Sequence, residues 1–251
     1  MSAFDDGGRV PRLTIMKALH YVLAPVALPQ ALWLKRTALH MPEPDGPRAG
    51  TCGRGRRLRV LMVGDSSVAG VGVRHQRDAL SGHLTRALAD SYRVEWKVIA
   101  KSGATVPETL VRLDAQLPDR FDAVVIGLGV NDAKNGGTLP AWRRDYAQLL
   151  DLLQSKFGAA CVYASGLPPV REFPILKWPT RSVVGTRVEL FDEALEQLVA
   201  ERSEGVRYIA FSMDLGPQHM AEDGFHPGAE VYGEWAKQVS EAIAADFPTH
   251  S

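Results

Sequence analysis

From Leu58 onward, short runs of apolar and β-branched residues alternate with longer stretches in which apolar positions recur at helical spacing. A short apolar run suits a strand buried on both faces, and helical spacing suits an amphipathic crossover. The alternation therefore predicts an open parallel sheet covered by helices on both sides. The predicted strands are Leu58–Val63 (LRVLMV), Tyr92–Val98 (YRVEWKV), Ala123–Gly127 (AVVIG), Ala160–Ala164 (ACVYA) and Val206–Ala210 (VRYIA). Helical patterns lie over His83–Asp90 and the residues just before it, Pro107–Gln116, Pro140–Lys156, Arg187–Glu201 and Ala229–Asp246. Pro107 and Pro140 stand near helix starts, where a missing N–H costs nothing.

Residues 1–57 break this pattern. Leu13–Leu34 is largely apolar but contains Lys17, His20, Pro25, Pro29 and Gln30, and Lys35 and Arg36 follow it. A bilayer-spanning helix needs about 20 apolar residues with few charges, and two prolines suit it poorly. A secretory leader fits no better, since Asp5 and Asp6 precede the first basic residue and no small-x-small cleavage site ends the run. Beside these weaker readings stand a helical arm packed on the domain and an interfacial segment, with Trp33 at the boundary and arginines facing phosphates. The last would give peripheral membrane contact through residues 13–36. Pro42–Gly55 reads as a linker, which divides the chain into an arm and linker over 1–57 and one folded domain over 58–251. The expected location is the cytoplasm or the periphery of a bacterial inner membrane, with secretion left open.

Composition narrows the classes. A chain of 251 residues that is 45% hydrophobic and 23% charged buries a full core and excludes disorder. With 29 basic and 29 acidic residues, no global field draws it to nucleic acid. Cys52 and Cys161 sit in unrelated contexts without metal-ligand spacing, so neither a disulfide nor a metal site is expected.

Four loops carry chemistry, each at the carboxyl end of a predicted strand, where reactive groups collect in parallel sheets. Gly64-Asp65-Ser66-Ser67 follows the first strand and places Ser66 at the start of a helix, with its N–H at the positive end of the dipole. Asp223-Gly224-Phe225-His226-Pro227 precedes the last helix. A serine hydroxyl is a poor nucleophile until an imidazole takes its proton, and the imidazole in turn needs an acceptor to fix its tautomer. Asp223 and His226 supply both on one loop. Gly103, after the second strand, offers a backbone N–H, and Asn131, after the third, offers a side-chain amide. Such donors stabilise the oxyanion of an acyl-transfer transition state. Each loop alone also fits an ordinary turn or cap. Together they supply the parts of a serine esterase on one rim of the sheet.

These blocks, GDSS at 64–67, Gly103 in KSGAT, GVND at 129–132 and DGFHP at 223–227, resemble in order and content those of the SGNH/GDSL hydrolase superfamily. The resemblance spans residues 58–246. It implies a three-layer α/β/α sandwich with a central five-stranded parallel sheet of flavodoxin type, and cleavage of esters that include lipids, thioesters, aryl esters and acetylated sugars. It also implies Ser66 as nucleophile, Asp223 and His226 as its triad partners, and Ser66, Gly103 and Asn131 as oxyanion donors. Ser67 stands where the common motif has leucine, so its hydroxyl is a rival nucleophile.

The expected chemistry is a two-step acyl transfer through an acyl-enzyme on Ser66, with no metal or cofactor required. Activity should fall below roughly pH 6 to 7 as an imidazole base takes up its proton. Transfer to another acceptor would use the same residues, and a catalytically dead lipid-binding protein is the reading from another class. The partner is a small-molecule or lipid ester; oligomeric state is left open. Leu167–Gly185 reads as a long loop on the same rim, and its Phe173, Ile175, Leu176 and Trp178 are candidate acyl-binding residues; anchorage of the loop on the core is the alternative. His219 is a weaker candidate base, and packing accounts for Trp142 and Tyr146.

Overall fold

The computed structural model describes residues 39–249 except Ser203 and Asp214, and before them Pro29, Gln30, Trp33 and Arg36. Most of the predicted arm over residues 13–36 lies outside the described residues. The strands are β1 (Ala49–Cys52), β2 (Arg56–Gly64), β3 (Tyr92–Ala100), β4 (Ala123–Gly127), β5 (Cys161–Ser165) and β6 (Val206–Ile209), and they form one sheet in the order β1-β3-β2-β4-β5-β6. The last five are parallel, with Val60 of β2 level with Trp96 of β3 and with Ala123 of β4. Their order is that of a flavodoxin-like doubly wound sheet, whose strand order reverses beside β2.

β1 corrects the sequence reading in two respects. The sheet has six strands and not five, and part of the expected linker is sheet. β1 runs antiparallel to β3 and pairs Gly50 with Trp96. Its AGTC sequence has no β-branched run. The strand is set by its partner, since Gly50 lets the backbone lie against the Trp96 indole, where a Cβ would sit 3.2 Å from Nε1.

The helices are α1 (Ser66–Ala69), α2 (Leu80–Ala89), α3 (Val106–Asp114), α4 (Val130–Lys134), α5 (Leu139–Ser155), α6 (Thr180–Ala200) and α7 (Ala229–Asp246). Val60, Leu61, Met62 and Val63 are fully buried because β2 is covered on both faces. Leu61, Val63, Val124 and Ile126 pack with residues of α3, α5 and α6, including Leu113, Trp142, Leu149 and Phe191. On the opposite face Val60, Met62, Val94 and Val125 pack with Leu80 and Leu84 of α2 and Tyr232, Val239 and Ile243 of α7. The Trp142 and Tyr146 rings sit 5.1 Å apart inside the first of these layers. Cys52 and Cys161 are free thiols.

Two further boundaries differ from expectation. The helix after Ser66 is a single turn closed by Gly70 in the left-handed region, so a long-helix dipole does not act on Ser66. The helix expected from Arg187 starts at Thr180, so the end of the supposed loop, Thr180–Gly185, is the first turns of α6. Gly185 masked this start in the sequence; in the fold it lies against Arg171, leaving a Cβ only 3.0 Å from the Arg171 side chain. No helix among the described residues is long and apolar enough to cross a membrane.

Candidate active site

The chain leaves β2 through a turn too tight for a side chain at its first position. A Cβ on Gly64 would lie 2.3 Å from Val68 Cγ2 and 2.6 Å from the Gly127 carbonyl. Asp65 caps the short α1, accepting from Ser67 N–H at 2.9 Å through Oδ1. Ser66 is thereby fixed at the carboxyl edge of the sheet, almost wholly buried. Its Oγ–H donates to His226 Nε2 at 2.9 Å, a contact between residues 160 apart in sequence.

The His226 ring is oriented from its other side. Asp223 Oδ2 lies 2.5 Å from Nδ1, and a carboxylate can only accept, so the proton belongs on Nδ1 and Nε2 is left to accept from serine. Asp223 Oδ1 accepts from the N–H groups of Phe225 and His226, both at 2.9 Å. Burial pushes the Asp223 carboxyl up, but the bonds from the His226 ring and from these N–H groups outweigh it and hold the carboxyl below its ordinary value. Asp223 is therefore an anion wherever the imidazole can act as a base.

The two remaining loops are tied to each other and to Asp65. Asn131, buried in α4, donates from Nδ2 to Asp65 Oδ2 and to the Ala104 carbonyl, each at 3.0 Å. Both partners are acceptors, which fixes the amide with its nitrogen toward the serine loop. Asp132 accepts from Val106 N–H at 3.1 Å, linking α4 to the start of α3. Gly103 lies between these ties with φ +78°, and no atom would obstruct a Cβ there; its backbone conformation, not crowding, favours glycine. Among the described residues, neither Ser66 N–H nor Gly103 N–H has a backbone or side-chain acceptor. Glu43 Oε1 braces the same loop, accepting from Ser102 N–H and Oγ–H at 2.9 Å each.

Three buried acids thus serve different ends. Burial raises Asp65 above its ordinary range despite the Ser67 bond and the charges of Lys134 and His226. Asp132 is pushed up to about 6 by burial, against the Val106 bond and with the help of the Asp65 and Glu108 carboxylates. Asp223 alone is held down. Ser67 donates its N–H to Asp65, and it is the Ser66 hydroxyl that bonds His226. His219 is turned away from the serine, with Nδ1 accepting from Gly216 N–H at 2.9 Å.

From Ser66 a narrow, mainly apolar slot runs along the carboxyl ends of β4, β5 and β6. α7 supplies one side through Val231, Trp235 and Gln238, and Leu167, Phe173, Met220 and Phe225 lie across it. Trp235 is held by its Nε1–H bond to Ser165 Oγ at 2.9 Å. Of the candidate acyl-binding residues, Phe173 lines the slot and sets its ring edge-on to Phe225, centroids 5.3 Å apart. Ile175, Leu176 and Trp178 are corrections to the sequence reading. Leu176 is buried in the core and Ile175 packs against it, while Trp178 is 70% exposed. A short 3-10 turn at Val170–Glu172 and the early start of α6 turn these side chains away from the slot. The residues missed, among them Phe211, Met220, Phe225 and Trp235, lie past strand ends or on α7, and for Phe211, just beyond β6, the strand end was the available signal.

Sheet order and the four converging loops define the class, an SGNH-type hydrolase. The chain belongs to the GDSL-like lipase/acylhydrolase family, whose model matches residues 62–233. Similar solved structures include the psychrotrophic esterase EstA from a Pseudoalteromonas species, at TM-score 0.59 and 19% identity over 76% of this chain and 99% of that one. A lipase/acylhydrolase from Enterococcus faecalis aligns at TM-score 0.59 and 20% identity over 77% of this chain and 100% of that one. The acetylxylan esterase Axe2 from Geobacillus stearothermophilus aligns at TM-score 0.54 and 16% identity over 78% and 97% of the two chains. At such identities the likeness is one of fold. No curated protein matches the chain.

Proposed function

We propose that this protein is a carboxylic ester hydrolase that works through an acyl-enzyme on Ser66 and accepts acyl chains of short-to-medium or greater length. The observation that carries the reading is the unbroken chain of hydrogen bonds from Ser66 Oγ through His226 to Asp223. In the first step His226 Nε2 takes the hydroxyl proton as Oγ bonds to the ester carbonyl carbon. Negative charge then gathers on the former carbonyl oxygen. The N–H groups of Ser66 and Gly103 are the donors available to it, and Asn131 would join by sharing one of its two resting bonds. Collapse breaks the bond to the alcohol oxygen, which leaves with the proton from Nε2. Water repeats the sequence, freeing the acid and restoring Ser66.

The apolar slot beside the nucleophile supports an acyl chain of some length. A panel of p-nitrophenyl esters from acetate to long-chain acids, run on wild type and Ser66→Ala, tests both parts. Loss of about 10⁶-fold in kcat is expected for the variant, together with loss of fluorophosphonate labelling. Substantial turnover by Ser66→Ala would overturn the nucleophile assignment, and a preference for acetate would overturn the acyl-chain reading.

A further inference from the structure

Gln30 ties the arm to the domain at the start of α6. Gln30 Oε1 accepts from Thr180 N–H at 3.2 Å and from Thr180 Oγ1–H at 2.6 Å, and Gln30 Nε2 donates to the Trp178 carbonyl at 3.3 Å. Pro29, Trp33 and Arg36 occupy helical positions and are exposed. Their spacing of four and then three puts them on one helix face. Beside the clamp, Lys177 and Trp178 are also exposed, so two indoles, 65% and 70% open, lie on neighbouring elements with two cations.

From these residues we infer that the arm face at Pro29, Trp33 and Arg36, with Lys177 and Trp178, docks on an anionic phospholipid bilayer. Tryptophan favours the headgroup layer, where its ring is sheltered and its N–H is hydrated, and the two cations complement lipid phosphates. The surface adjoins the segment that carries Phe173, a lining residue of the slot. Ile175 N–H donates to the Gly224 carbonyl at 3.4 Å, and Phe173 meets Phe225, the residue before His226. Docking would hold the mouth of the slot against the lipid layer. This extends the esterase reading, but the docking itself is measured without turnover.

The test is flotation of the full chain with vesicles of phosphatidylcholine, alone or mixed with phosphatidylglycerol, with tryptophan emission read in parallel. Wild type should float with the mixed vesicles, shift its emission to the blue, and bind neutral vesicles at least tenfold more weakly. The pair Trp33→Ala and Trp178→Ala should weaken binding about tenfold. The pair Arg36→Glu and Lys177→Glu should weaken binding to anionic vesicles by at least about tenfold, on the order of fivefold for each cation lost. Trp33→Ala and Arg36→Glu should leave hydrolysis of soluble p-nitrophenyl acetate unchanged. A protein that binds vesicles but cleaves no ester would end the esterase reading and keep this one. Wild type that stays with the soluble fraction, variants that float like wild type, or a concentration-dependent dimer abolished by the same variants without vesicle binding would each overturn it.

Discussion

The two sides of the slot are built differently. On the Ser66 side, polar atoms fix one another across strand-end loops: Asp65 holds Ser67 and Asn131, Asn131 holds Ala104, and Asp132 holds Val106. Across the slot Phe173 and Met220 come from irregular segments and pack against the apolar layer. Reacting atoms must be placed to a fraction of an ångström, and directional bonds between short loops do that. An apolar wall needs only shape, which packing supplies and which tolerates change.

The contrast can be broken by substitution. His226→Gln should lower kcat about 10⁶-fold with little change in Tm, measured by steady-state kinetics and thermal unfolding. Asn131→Ala should cost about 10²- to 10³-fold in kcat, and its Tm should fall as well, because a buried acid and a carbonyl lose their donor. A variant on the packed side with losses of this size would erase the distinction.

A pH test sharpens it further. Asp132 is held up at about 6, above its unfolded value. Between the two values the folded chain keeps a proton that the unfolded chain releases, so this group adds stability as pH falls through about 6. Above that pH its buried charge costs up to about 3 kcal/mol. Asp132→Asn should therefore gain most over wild type near pH 8, and urea unfolding should show that advantage shrinking by about 2 to 3 kcal/mol near pH 4. An advantage independent of pH would show that the carboxyl is not strained by burial. Asp223, held down, contributes in the opposite sense: its stabilisation is present above its unfolded value and is lost as pH falls through its folded one. The smallest effect is expected from Phe173→Ala, a shift of about three- to tenfold in preference among acyl lengths, with acetate turnover nearly unchanged.

The same division explains what could be read from the sequence. Ser66, Gly103, Asn131, Asp223 and His226 were legible because each needs a particular residue type beyond a strand, and the apolar runs of β2 to β6 placed those strand ends. Leu176 and Trp178 were not, because an apolar side chain in an irregular segment carries no signal of whether it turns to the core, the slot or the solvent. β1 was illegible for another reason. AGTC has no intrinsic strand pattern, and only the Trp96 side of β3 makes it one.

That edge strand bears on how the polypeptide can be shortened. Without Ala49–Cys52, β3 would present a bare row of amide and carbonyl groups to any passing strand, an invitation to self-association. The bond from Glu43 to the Ser102–Gly103 loop would be lost with the same cut. A truncation that spares everything from residue 39 onward should give a well-behaved, active fragment, whereas trimming at residue 57 would remove part of the machinery it meant to isolate.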